Sequence, residues 1–442
     1  MNLKTVRIAL LVAVAIAASG CGVFKKGAPK TPVLGERIAV LAAETDVSVD
    51  PATASLPMAL PAPVDNPSWS QSGGNASKAM GHVALPASIA QAWAVSIGQG
   101  TSLTARLAAA PVVADGRVYT IDTTATVRAF DAQTGAALWR TQFGAEKGNE
   151  SAMFGGGVAF ANGRIYATNG LGFVAALDAS NGGLLWQVRP GGPLRGSPTV
   201  AGDAVYVMSQ DNQIYSLKVE DGSTNWNQAA ALEIAGVFGV ASPAFAQGTI
   251  VAGFSSGELN AYRYENGRIV WQDALARTSI RTSVSSLSDV DADPVIDNGQ
   301  VIAIGQGGRM VALELITGQR MWELNLAGIS TPWVAGDWVF VVTDDAKLMA
   351  IARATGKIRW ISQLPQYRKA KSKSGPIGYV GPILAGGRLI VASTQGAMVF
   401  ADPATGAVLG QTDLKASISL PPVVANNTLY VLDDDGRLHA FR

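Results

Sequence analysis

The 442-residue chain contains a single cysteine, Cys21, and two histidines, His82 and His439. One cysteine excludes an internal disulfide. Two histidines so far apart in sequence argue against a zinc site or a histidine-based relay. Charge of one sign is also missing, because 34 Lys+Arg stand against 33 Asp+Glu. That balance supplies no basic field for nucleic acid. Long helical periods are almost absent, which argues against an α-helical domain. The apolar run 8–18 is too short for a comfortable membrane span.

What the chain does have is a repeat. A Pro-φ-φ-x-x-Gly-x-φ-φ signal recurs, usually followed by φ-Asp-x-x-Thr-Gly-x-x-x-Trp. The clearest copy runs from Pro111-Val-Val-Ala-Asp-Gly116 to Thr134-Gly135-Ala-Ala-Leu-Trp139. Tail tryptophans fall at Trp93, Trp139, Trp186, Trp226, Trp271, Trp322 and Trp360. Their spacing matches the roughly 40–50 residues of one propeller blade. Turn pairs such as Asp115-Gly116, Asn162-Gly163 and Asn298-Gly299 supply the positive φ of tight hairpins. The seventh tail departs, with Leu409-Gly410 where Trp is expected.

The eighth copy stops at Arg442 before its fourth strand, and 91–95 is a fourth strand with no blade before it. The economical solution is an all-β, eight-bladed propeller of four-stranded blades over 88–442. Its N-terminal strand completes the last blade and removes the open edge. Each tail Trp is expected to pack between adjacent blades and each Gly to serve a turn.

The N-terminus reads as an export signal, 1–20, with Lys4 and Arg7 ahead of the apolar run. It ends in Ala18-Ser19-Gly20-Cys21, which resembles a bacterial lipobox. On that reading Cys21 carries acyl chains such as palmitate. Gly22 stands where the retention signal of enteric lipoproteins is Asp, which implies the outer membrane. The Pro- and Ala-rich stretch 21–67 reads as a tether, partly extended or disordered, and 68–442 as the propeller. Within the tether, 37–41 could add a short strand.

Other motifs carry little chemistry. Gly155-Gly-Gly157 lacks the Lys-Ser/Thr of a phosphate loop and reads as tight packing. Asp433-Asp-Asp435 reads as turn chemistry. Asp289-Val-Asp291-Ala-Asp293 alternates like the start of a calcium loop. It lacks the central Gly and closing Glu, so no metal is assigned. The basic segment 368–373 reads as a solvated loop, or as a contact for anionic lipid or an acidic partner.

The Trp-tailed repeat resembles that of quinoprotein alcohol dehydrogenases, which need a metal cage at the ring centre and often a vicinal disulfide. A quinone-dependent dehydrogenase or a ligand-binding propeller is therefore the alternative reading. Together with the lipobox, Leu287-Ser-Asp289-Val-Asp291, Asn66-Pro-Ser-Trp69 and Ser72-Gly-Gly-Asn75 make the chain resemble the BamB family of outer-membrane assembly lipoproteins. That resemblance implies a non-enzymatic scaffold without a cofactor, anchored on the periplasmic face of the outer membrane of a Gram-negative bacterium. It implies docking on a POTRA domain of BamA, beside the other subunits of the assembly complex. Asp289 and Asp291 would supply acidic contacts, and Leu232 and Ile234 apolar ones. Ala235 stands where the family often has Arg. On the same reading, exposed strand edges would guide nascent barrel strands by β-augmentation.

Replacing Cys21 by Ala should leave the exported protein soluble in the periplasm. Fractionation of the envelope at high salt checks this; a variant still held on the outer membrane would show a different main anchor.

Overall fold

The computed structural model describes residues 47–149, 153, 155–232, 241–275 and 289–442. The signal 1–20, Cys21 and the stretch 37–41 lie outside these residues. Among the described residues, eight four-stranded antiparallel sheets follow one another as blades. Blades 1 to 7 span 112–142, 158–188, 199–229, 244–274, 295–324, 333–363 and 379–413. Blade 8 takes three strands from 423–441 and its fourth from Gln91–Ser96. In that last pair Trp93 faces Ala440 and Val95 faces Leu438. The first strands of blades 1 to 7 touch their neighbours and form the inner ring. First and second strands are mostly buried, whereas the fourth strands are largely exposed. This is the pattern of a radial sheet stack.

The Trp-Gly signature is the joint between blades. A Cβ on Gly267 of blade 4 would lie 2.6 Å from the Trp226 ring of blade 3. Gly135, Gly182, Gly222, Gly318, Gly356 and Gly406 lie equally tight against Trp93, Trp139, Trp186, Trp271, Trp322 and Trp360. Each of these glycines has positive φ. The indole N–H completes the joint by donating to the carbonyl three residues before the glycine. Trp139 donates to Ala179 (3.0 Å), Trp186 to Val219 (3.0 Å), Trp226 to Tyr264 (2.8 Å) and Trp271 to Leu315 (2.7 Å). Trp322 donates to Arg353 (2.7 Å) and Trp360 to Pro403 (3.0 Å).

The two exceptions explain themselves. Blade 8 is assembled from both termini and has no turn between its third and fourth strands, so a Trp on blade 7 would find no glycine to dock on. Gly410 stands there with open space around its Cβ position. Trp93 packs on Gly135 and Tyr430 but stays half-buried, and its N–H has no partner. The carbonyl it would use, that of Ala132, is taken by Arg442 (2.7 Å) and Tyr430 (3.4 Å).

A second device was not foreseen from the sequence. The chain is packed from Val47 onward, so the propeller unit begins about twenty residues before the expected boundary. Val49 forms a parallel bridge with Ile358 at the edge of blade 6, and a short helix, Pro51–Ser55, capped by Asp50, follows. The segment 66–83 then travels once around the inner ring. Asn66 bonds Val424 and Asn426 of blade 8 (2.8 and 2.7 Å). Trp69 exchanges two backbone bonds with Val113 of blade 1 (2.7 and 2.8 Å). Ser70 accepts from Phe160 of blade 2 (2.7 Å), and the Gln71 side-chain amide pairs with both backbone groups of Val200 of blade 3. Ala76 accepts from Phe245 of blade 4 and Ser77 from Ile296 of blade 5 (both 2.8 Å). Gly81 accepts from the Trp333 indole of blade 6, and Val83 donates to Leu384 of blade 7 (3.2 Å). This strap satisfies inner-edge groups that the sheets leave open.

Substituting Gly267 by Ala should cost about 2 kcal/mol more than Gly163→Ala, by urea unfolding. Both sites have positive φ, which costs roughly 1–2 kcal/mol for a side chain. Gly163 has nothing within 4 Å of its Cβ position, whereas Gly267 meets the Trp226 ring. Equal losses would show that the joint is not a close-packed contact.

Candidate partner-docking face

In each blade the turns between strands one and two, and three and four, lie at one end of the sheet. The turns between strands two and three and the connections to the next blade lie at the other. The strap and the Trp-Gly joints occupy the first end. The sequence-predicted site residues fall on connections at the second.

Leu232 leaves the fourth strand of blade 3 and is 77% exposed. Ile234 and Ala235 lie outside the described residues. Asp289 and Asp291 precede the first strand of blade 5, but they are 0% and 7% exposed. The resemblance gives both carboxylates acidic contacts with a partner; in this structure both are buried. An extended segment does turn both to one side, and that side is inward. The basic group they need comes from the chain itself: Arg195, 1% exposed, donates from Nη2 to Asp291 Oδ1 at 3.2 Å. Burial outweighs that guanidinium and pushes the Asp291 carboxyl up to about 6. Burial likewise lowers the pKa of Arg195.

Asp293 ties the same loop to three elements. Its carboxylate accepts from the Ser242 N–H before blade 4 (2.7 Å) and from the Ser72 hydroxyl of the strap (2.6 Å). Its N–H donates to Thr331 Oγ1 before blade 6 (3.1 Å). Beside it, fully buried Lys78 donates to Thr199 Oγ1 (3.1 Å), and burial lowers its pKa to about 8. The acidic loop thus anchors the inner ring and holds the neighbouring connections in place.

Both histidines are structural. Gly387 donates its N–H to His82 Nε2 (2.9 Å), so the ring proton sits on Nδ1, which donates to the Pro61 carbonyl (2.8 Å). His439 pairs with Asp433 (2.9 Å), beside a cavity of about 450 Å³ lined by Ser96, Lys415 and Arg437. Asp433 Oδ1 also accepts from the Arg437 N–H, and Asp434 takes the hydroxyls of Ser417 and Ser419, which is turn chemistry. Gly156 and Gly157 are packed against Thr168 and Ser197.

The sequence of residues 90–151, 123–362 and 368–442 matches the family model described as outer membrane protein assembly factor BamB. The chain belongs to that family. It is 28% identical over 393 residues to the outer membrane protein assembly factor BamB of Salmonella typhimurium, covering 79% of this chain and 87% of that one. The Burkholderia pseudomallei BamB is 27% identical over 369 residues, covering 80% and 88%. The crystal structure of BamB from Moraxella catarrhalis superposes with a TM-score of 0.70 at 20% identity, covering 80% of this chain and all of that one. A europium-containing methanol dehydrogenase shares the fold at a TM-score of 0.67 and 14% identity, covering 85% and 98%.

The described residues do not offer the metal cage that such a quinone needs. Among the described residues no three His, Cys, Asp or Glu side chains gather to hold a metal. Asp291 is committed to Arg195, and Asp293 to Ser242 and Ser72.

The buried Asp291 sets a pH dependence. Its folded pKa, about 6, lies above the ordinary 3.8. The native state therefore holds that proton more tightly than the unfolded chain. The resulting stability is full below about pH 4 and is lost as pH rises through 6. Asp291→Asn should remove this component, seen as a flatter difference in urea midpoint between pH 4 and pH 7. Arg195→Met should cost about 3–5 kcal/mol at pH 7 by leaving a buried charge unpaired.

Proposed function

We propose that this protein is a non-enzymatic scaffold subunit of the outer-membrane β-barrel assembly complex. It would be held on the periplasmic face of the outer membrane by acylated Cys21 and would dock on a POTRA domain of BamA. The membership in the BamB family and the propeller fold support this reading. The single observation that carries the docking face is exposed Leu232, standing on a connection beside a loop immobilised by Asp289, Asp291 and Asp293. A large exposed apolar side chain on a rigid mount suits the apolar centre of an interface.

On this reading Asp289 and Asp291 act by positioning, holding the connection between blades 4 and 5 from inside. Leu232 and Ile234 make the contact. Guidance of nascent barrels by strand pairing has one supporting feature: the edge of blade 6 already accepts Val49 as a parallel bridge. The fourth strand of blade 7, Val408–Asp413, is exposed along its whole length.

Replacing Leu232 by Asp should reduce co-purification with BamA from detergent-solubilised envelope by about ten-fold or more, as expected for a hot-spot residue worth 1.4 kcal/mol or above. Its melting temperature should not change. Wild-type yield from a normally folded Leu232→Asp variant would move the docking face elsewhere.

A further inference from the structure

Between blades 6 and 7 the connection does not simply cross over. It forms a hairpin, Tyr367–Lys369 paired with Ser374–Pro376 around a 3-10 turn, Ala370–Ser372. Among the described residues this is the one two-stranded sheet outside the blades. Its base is fixed. Ile377 donates to the Gln366 carbonyl (2.9 Å), Gln366 Nε2 to the Asp345 carbonyl (2.7 Å) and the Tyr379 hydroxyl to the Pro365 carbonyl (3.0 Å). Arg368 Nη2 reaches the Thr394 carbonyl at 3.3 Å. Beyond that base, residues 368–376 are all exposed.

The tip concentrates Arg368, Lys369, Lys371 and Lys373 in a chain whose net charge is +1. None of the four is paired with a carboxylate among the described residues, whereas Arg128, Arg195, Arg320 and Arg353 each are. Lys373 is also held in left-handed backbone, φ 48°, where a non-glycine residue is strained. A fixed base, a strained turn and four clustered cations without an ion pair are what this connection presents.

We propose that this hairpin is an electrostatic docking element for an acidic surface on a partner protein lying over the connection end of the propeller. A lipid surface fits less well. Membrane-seeking elements combine cations with large apolar or aromatic side chains that enter the interface. The tip offers Ala370, Ser372, Ser374 and Gly375 instead, and Tyr367 is half-buried at the base. The hairpin would strengthen encounter and orientation more than buried contact, so its effect is screened by salt. The proposal does not depend on the role given to Leu232.

The test uses the full-length lipidated protein in its own envelope. A photo-crosslinking amino acid is placed at Ser372, and a second at Leu232 in a separate strain. The expected result at Ser372 is a cross-link to a peptide with an excess of Asp and Glu. Its yield should fall about ten-fold with Lys369, Lys371 and Lys373 changed to Glu, and several-fold with the same three changed to Gln. Raising salt to about 0.5 M should erase the difference between wild type and the Gln variant. Cross-linking at Leu232 should be unchanged in both. Three results would overturn the proposal. One is an undiminished Ser372 cross-link in variants whose melting temperature matches wild type. Another is a cross-link to a second copy of this chain. The third is charge-dependent flotation of the delipidated protein with vesicles containing about one-third phosphatidylglycerol, in the absence of a protein cross-link. Loss of the Leu232 cross-link in wild type would count against the scaffold reading and leave this one standing.

Discussion

The joint between a tail tryptophan and the glycine of the next blade is the contact on which the rest of this structure depends. Each joint packs a large ring against a backbone that has no Cβ, and six of the seven add an indole hydrogen bond to a carbonyl. The two parts require each other. A side chain at the glycine would displace the ring, and a smaller residue at the tryptophan would open a cavity between sheets. Because the joint links blade n to blade n+1, its geometry sets the angular step of the ring. The identical offset of three residues between acceptor and glycine in six joints makes those steps alike. Where the ring crosses from C-terminus to N-terminus, the step must be built differently. Blade 8 lacks the glycine turn, blade 7 lacks the tryptophan, and Arg442 and Tyr430 occupy the carbonyl that Trp93 would use. The irregularities of the repeat mark the seam of the ring.

The blades were legible because their chemistry repeats. Trp, Gly, turn Asn and alternating apolar residues recur at fixed offsets, and every copy reinforces the others. The strap was illegible for the opposite reason. Most of its bonds run from backbone to backbone along the inner strands, and backbone groups leave no mark on sequence. Gln71 and Asn66 do bond through their side chains, but each meets a different blade, so no period results. The proline-rich composition of 47–67 suggested an extended tether. Prolines suit such packed extended segments equally well, since the backbone there follows a route set by the blades it crosses.

The acidic loop shows a different limit. Alternation in Asp289-Val-Asp291 puts both carboxylates on one side of an extended segment, and two like charges there call for a facing cation. Sequence spacing could not show that the cation is Arg195, 96 residues earlier and two blades away. Nor could it show that the shared side faces inward. Leu232, which the resemblance gives as an apolar contact, is exposed on the connection after blade 3.

These constraints divide the molecule into two ends with different freedom. At the turn end, the joint glycines and the inner strands met by the strap are committed, so a change there alters the ring itself. At the connection end, the inner acids and Arg195 tie the described bases of the connections together, while residues 368–376 of the hairpin are exposed. Length and charge can vary at such a tip without disturbing the blades, and the hairpin between blades 6 and 7 shows such variation. Surfaces carried on loops over a rigid ring can change independently of the ring's stability. The burial of Asp291 against Arg195, although costly in itself, fixes the mount from which such a loop projects.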